Sequence, residues 1–197
     1  ANRNGDVSNP ELILSENTNF GNTLQTSLNA YLSYELAEGL TFKSSIRGFS
    51  MAVKNKAWYT NKFGWSKAVG GRGITRFYNS GSLVTEQNLS YLKDFGNHRI
   101  NTTLVYERQQ NTSENLRSNS TGFDIPDLNL DALQGALNTE PTQSYAFNSS
   151  VESFIGRIQY DGYNKYLLTA SLRYDGSSRF AEDKRWDYFP SIGFAWR

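Results

Sequence analysis

The side chains that could do chemistry in this chain are few and widely spaced. Its 197 residues hold one histidine and no cysteine, which removes a thiolate nucleophile, a disulfide framework and any thiolate metal site. His98 stands beside a predicted tight turn with no His, Cys or carboxylate at a ligand spacing, so its expected role is local structure and no metal or cofactor is expected. Glu182-Asp183-Lys184-Arg185 and Asp187 form a mixed-charge loop for which solvation or surface ion pairing is role enough. Glycosidase chemistry needs two carboxylates flanking one bond, and without an acid–base constellation the chain does not read as an enzyme. Gly70-Gly71-Arg72-Gly73 lacks the lysine and the strand-to-helix setting of a phosphate cradle and reads as a flexible loop. What remains is binding chemistry. Trp58, Tyr59, Trp65 and Tyr78 are aromatic faces that suit either the apolar C–H surface of a sugar ring or packing of loop against loop. Arg157 and Arg173 each fall opposite an apolar strand face, as a solvated or salt-bridged wall or as a polar pathway for solute.

The elements that must position these residues read as β-strands. Period-2 alternation begins near Thr23 and is clearest at Leu28, Ala30, Leu32, Tyr34 and Leu36, with polar residues between. A short turn at Ala37-Glu38-Gly39 leads to a second alternating run, Leu40, Phe42, Ser44, Ile46 and Gly48. From about Asn55 to Ser80 the alternation fails and aromatic and glycine residues gather, which predicts a long loop. Strands are expected from about Gly81 to Asp94 and Arg99 to Asn111, joined tightly through Phe95-Gly96-Asn97-His98. Thr112 to Tyr145 reads as irregular, with a short helical turn ending near Gly135 that Asp127 would cap. The last hairpin sets Phe154, Gly156, Ile158 and Tyr160 against Arg157 and Gln159, turns at Asp161-Gly162-Tyr163-Asn164, and returns with Leu168, Ala170, Leu172 and Tyr174 against Thr169, Ser171 and Arg173. After Gly176 to Asp187, a seventh strand carries Ile192, Phe194 and Trp196 on one face and ends the sequence in mid-strand.

Connections therefore alternate between tight and long, and the tight ones fall at one end. That is the pattern of an antiparallel transmembrane β-barrel, whose short turns are periplasmic and long loops extracellular. Tyr160, Tyr163 and Tyr166 around one tight turn, with Phe95 at another, suit an interfacial aromatic girdle. No apolar run reaches the roughly 18 residues of a membrane helix, and Ala1-Asn2-Arg3-Asn4-Gly5-Asp6 is not a signal peptide, but strands of about ten alternating residues can span without either. A formal net charge of +1 makes nucleic acid a poor partner. Three Asn-x-Ser/Thr matches, at Asn101, Asn111 and Asn119, are expected by chance in so Asn-rich a chain. The competing readings are a soluble β-rich glycan-binding or adhesion module, and a porin or siderophore-type receptor barrel. The first is disfavoured by the exposed apolar edge that the last strand would leave.

Phe154-Ile155-Gly156-Arg157-Ile158-Gln159-Tyr160, the strand Lys165 to Arg173, Asp175-Gly176-Ser177-Ser178-Arg179-Phe180, and Tyr188-Phe189-Pro190-Ser191 through Arg197 together resemble the SusC/RagA family of TonB-dependent outer-membrane transporters of Bacteroidetes. Asn9-Pro10, Tyr31 to Glu35 and Gly39 to Lys43 are more loosely similar to upstream barrel strands of that family. The resemblance implies that residues 1–197 are about seven strands of a larger, 22-stranded outer-membrane barrel with long extracellular loops. It implies a plug and a TonB-contacting segment that this chain does not match, and a SusD-like surface lipoprotein as partner. TonB would drive import of glycan or peptide cargo, with outer-membrane lipid around the wall. Trp58, Tyr59, Trp65 and Tyr78 are then candidates for ligand or partner contact, and Arg157 and Arg173 for lumen-facing positions.

Overall fold

The computed structural model describes residues 10–124 and 130–197. A seven-residue helix, α1 (Pro10–Glu16), is followed by strands β1 (Thr18–Ala37), β2 (Leu40–Tyr59), β3 (Arg72–Phe95), β4 (His98–Thr121), the two-residue β5 (Asn138–Thr139), β6 (Gln143–Gly162), β7 (Tyr166–Ser177) and β8 (Trp186–Trp196). All belong to one antiparallel sheet in the order β1-β2-β3-β4-β6-β7-β8, with β5 beside β4. This is the all-β meander of seven long strands that the alternation predicts. No helix among the described residues is long and apolar enough to cross a membrane, which leaves a strand-built crossing open.

The principal difference from the sequence reading is strand length. β2 runs on through Trp58 and Tyr59, and β3 begins at Arg72, so the expected loop of residues 55–80 shrinks to residues 60–71 around a 3-10 turn at Trp65–Val69. The irregular region likewise narrows to residues 122–142, with a 3-10 turn at Leu133–Gly135; Asp127, its expected cap, lies outside the described residues. Strict alternation fades in these stretches, where aromatic and β-branched residues suited to strands stand among glycines and polar residues. The stretch before the first alternating run contains α1. Lys62 Nζ reaches Glu16 Oε1 at 2.7 Å and the Thr60 amide donates to Asn17 Oδ1 at 2.8 Å, tying the end of that helix to the end of β2.

The described chain divides into two compact units, residues 26–50, 81–112 and 148–197 in one, and the described parts of 1–25, 51–80 and 113–147 in the other. In the first unit, register fixes the faces. β6 pairs with β7 as Phe154 opposite Tyr174, Gly156 opposite Leu172, Ile158 opposite Ala170 and Tyr160 opposite Leu168. β7 pairs with β8 as Leu168 opposite Phe194, Ala170 opposite Ile192 and Tyr174 opposite Tyr188. Because paired residues share a face, these side chains form one apolar surface, while Ser153, Ile155, Arg157, Gln159, Thr169, Ser171, Arg173 and Asp175 form the other. Tight turns lock this unit at one end. Gly39 has φ of 74° and its carbonyl accepts from the Leu92 amide at 2.8 Å. The Tyr163 amide donates to Asn97 O at 2.7 Å. In the last turn Tyr163 and Asn164 take φ of 57° and 53°, and the Lys165 amide closes onto Gly162 O at 3.0 Å. The two left-handed central residues are thus two residues later than the Asp161-Gly162 pair in the sequence.

The other unit packs around Trp58 and Phe123, the two buried large apolar side chains among the described residues, whose rings meet edge to face at 4.8 Å between centroids. The glycine run beside them is a close-packed element and not an unconstrained loop. The Phe123 amide donates to Gly70 O at 2.9 Å and the Gly71 amide to Ser66 O at 2.9 Å. A Cβ on Gly70 would lie 3.0 Å from the Gly122 Cα, and one on Gly73 would meet Leu133 Cδ2 at 2.6 Å. Only a residue without a side chain lets these backbones and rings approach so closely.

Candidate functional site

The apolar surface carries two rows of aromatic residues. At one level Tyr106, Phe154, Tyr174, Trp186 and Tyr188 interlock: ring centroids are 5.0 Å apart for Tyr106 and Phe154, 4.7 Å for Tyr174 and Trp186, and 4.3 Å for Tyr174 and Tyr188. At the tight-turn end Tyr160, Tyr166 and Trp196 share the same face, with Lys165 Nζ 5.8 Å from the Tyr166 ring and 5.6 Å from that of Trp196. Between the rows β7 offers Leu168, Ala170 and Leu172. From Tyr166 to Tyr174 the strand climbs about 26 Å at ~3.3 Å per residue, or about 20 Å in height at a tilt of ~40°, close to the roughly 25 Å apolar band of an outer-membrane barrel. The band is uncovered: Ile192 is 80% exposed and Phe194 70%. Amphipathic aromatics at both margins of such a band match the two water interfaces of a bilayer.

The opposite face is polar and internally paired. Glu107 follows Tyr106 and so points away from the apolar side; Arg47 bridges to it at 3.2 Å and to Glu86 at 3.4 Å. Arg173 Nε donates to Asp175 at 2.6 Å, and its Nη2 to the buried Ser153 Oγ at 3.0 Å. Arg157 sits on the same face opposite Ser171, exposed, with no ion partner among the described residues. Register sets both arginines on this face, Arg173 held in a network and Arg157 exposed.

The four aromatic candidates separate. Trp58, the penultimate residue of β2, is 7% exposed, so its ring belongs to the packing around Phe123. Tyr59 follows it, and Tyr78 lies within β3, half-buried. Trp65, in the 3-10 turn, is 57% exposed; its ring lies 5.1 Å from that of Tyr59 and under the Arg72 guanidinium at 5.6 Å. Arg72 is itself oriented by Asn119, Nε to Oδ1 at 2.7 Å. Trp65 is thus braced by Tyr59 and Arg72 while more than half of its surface stays open. Arg72 had no signal in the sequence beyond its glycine neighbours, because Asn119 and Trp65 reach it only through the fold.

His98 is structural in its surroundings. Its Nδ1 lies 2.6 Å from the Tyr160 hydroxyl, and its ring stacks near Phe95 and meets the edge of Tyr163 at 4.9 Å. Among the described residues no three His, Cys, Asp or Glu converge as a metal site.

Comparison with known proteins agrees with this anatomy. No protein-family model matches the chain. It is 30% identical over 200 residues to one TonB-dependent receptor of Formosa agariphila and 27% over 191 residues to another, covering 99% and 97% of this chain. It is 44% identical over 54 residues, 27% of the chain, to TonB-dependent receptor SusC of Bacteroides thetaiotaomicron. Among solved structures the RagAB peptide transporter superposes with a TM-score of 0.85 at 18% identity over 91% of this chain. The chain spans about a fifth of each of the longer matches, 18% and 19% of the two Formosa receptors and 20% of the RagAB chain. An antiparallel meander with these faces shares its fold with that chain and part of its sequence with those receptors, and so is similar to a stretch of TonB-dependent receptor barrel. Within that class the chain is SusC/RagA-like.

Proposed function

We propose that these residues form part of the wall of an outer-membrane importer. The observation that carries the reading is the apolar face of β6 to β8, bounded by aromatic rows about 26 Å apart along the strand and backed by a polar, ion-paired face. A lipid-exposed exterior and a hydrated interior account for both faces with one arrangement, whereas a soluble module would need another layer over the apolar side. Transport rests on the relatives: TonB-dependent receptors by name, among them SusC, and the RagAB peptide transporter by fold. By that analogy TonB supplies the energy, a SusD-like surface lipoprotein is the partner, and the cargo is a glycan or a peptide. On this reading Arg157 and the Arg47 and Arg173 networks line the hydrated interior. Trp65, with Tyr59 beside it, is the aromatic candidate for cargo or lipoprotein contact; Trp58 is a packing residue, and Tyr78 has less surface to offer.

The test is uptake by cells. A strain lacking the full-length gene, complemented with wild type or left empty, is offered labelled oligosaccharides and oligopeptides. TonB-dependent loss of uptake of one class, with the protein fractionating in the outer membrane, supports the reading. Unchanged uptake of both, with the protein in the soluble fraction, overturns it.

A further inference from the structure

We propose a binding groove for the sugar headgroup of a glycolipid on the apolar-side face, immediately past the upper aromatic row. The proposal rests on the outer-membrane reading above. The groove encloses about 870 Å³ and crosses five strands, from β1 to β6, and the connection after β7. Its floor is made by Gly48 and Gly81, where the absence of side chains exposes the sheet backbone; a Cβ on Gly81 would close to 3.1 Å of Thr112 Oγ1. Leu28 and Leu83 line it as well, adding apolar surface of the kind that fills the band below. Gln110, Thr112, Asn148 and Ser150 supply amides and hydroxyls, and the Ser150 amide is already held by Ser178 Oγ at 2.8 Å.

Position and charge together choose the occupant. On β4 and β6 the order along this face is aromatic row (Tyr106, Phe154), then the Arg108–Glu152 ion pair at 3.4 Å, then the groove. That is the depth at which headgroups lie when the aromatic row marks the interface. Among the described residues no charged side chain lines the groove; Arg108 beside it is engaged by Glu152 at 3.4 Å and Arg179 donates to Ser149 Oγ at 3.5 Å, so a phosphate would have to compete for cations already held. Hydroxyl and amide side chains both donate and accept, as a sugar's hydroxyls require. Leu28 and Leu83 would meet the first carbons of the acyl chains.

Native mass spectrometry of the full-length receptor tests this, after release from nanodiscs of equal parts diglucosyl diacylglycerol and phosphatidylethanolamine with matched acyl chains. Wild type is expected to retain the glycolipid about tenfold over phosphatidylethanolamine, the factor that one or two net hydrogen bonds provide. Gln110→Ala with Asn148→Ala should abolish the preference while leaving the heat-modifiable gel mobility of the folded barrel unchanged. Equal retention of the two lipids by wild type overturns the groove, as does an undiminished preference in the double variant. Failure of the wild type to enter nanodiscs at all overturns the membrane reading beneath it, and is distinguishable because no lipid is then carried.

Discussion

Arginine substitutions along β7 separate face from depth in a single strand. Ala170 lies four residues from Tyr166 and four from Tyr174, between Ile158 and Ile192 on the apolar face. If that face meets lipid, Ala170→Arg places a guanidinium at the middle of the band and costs about 2–4 kcal/mol, roughly 30- to 700-fold in the folding constant. Tyr166→Arg, in the lower aromatic row, should cost about 0–1 kcal/mol because the charge reaches the interface. Thr169→Arg, one residue from Ala170 but on the polar face opposite Gln159 and Gly193, should cost about 0–1 kcal/mol, as expected where water reaches the side chain. The measurement is denaturant titration of the full-length receptor refolded into phosphatidylcholine vesicles, followed by tryptophan fluorescence and by heat-modifiable mobility. Equal costs at residues 169 and 170, or no decrease from 170 to 166, would refute both the face assignment and the membrane frame.

Gly39→Ala should destabilise the tight-turn end by about 1–2 kcal/mol or more, since the residue is left-handed and its new Cβ would overlap the Leu92 carbonyl oxygen; the same denaturant titration reads it. Trp58→Ala should cost about 3–5 kcal/mol locally through loss of the Phe123 contact, measured as increased protease cleavage at residues 60–71. Trp65→Ala should leave that cleavage nearly unchanged and instead lower cargo uptake or lipoprotein retention; the opposite assignment of effects would reverse the roles given to the two tryptophans. Asp94, exposed at the tight-turn end, is held below the usual carboxylate range chiefly by its hydrogen bonds from Arg99, at 2.6 and 3.1 Å. With the folded value lowered, its contribution is present above the ordinary carboxylate range and fades as pH falls through the lowered value. Arg99→Gln should therefore move the Asp94 titration upward by NMR, and an unmoved titration would contradict the pairing.

What the sequence determined by itself was the part of the fold that repeats every two residues. Alternation from Leu28 to Leu36 and from Phe154 to Tyr174 assigns each side chain to a face, since a strand has only two, and the register of β6, β7 and β8 keeps the assignments from Phe154 to Tyr174. The tight turns were legible for a similar local reason, Gly39 and Gly96 supplying positive φ, although Tyr163 and Asn164 occupy the left-handed positions that Asp161-Gly162 seemed to claim. The resemblance of the last strands to SusC/RagA transporters was likewise readable in the residues. Only the tertiary structure decided where the strands of the long connections end, because pairing there depends on neighbours far along the chain. It also decided which tryptophan is open. Trp58 and Trp65 look alike in sequence, but Phe123, distant in the chain, covers the first and not the second. The glycines at 70, 71 and 73 carry no sequence mark that separates a slack loop from a tight one; Gly122 and Leu133 make them tight, and that contact exists only when distant segments meet.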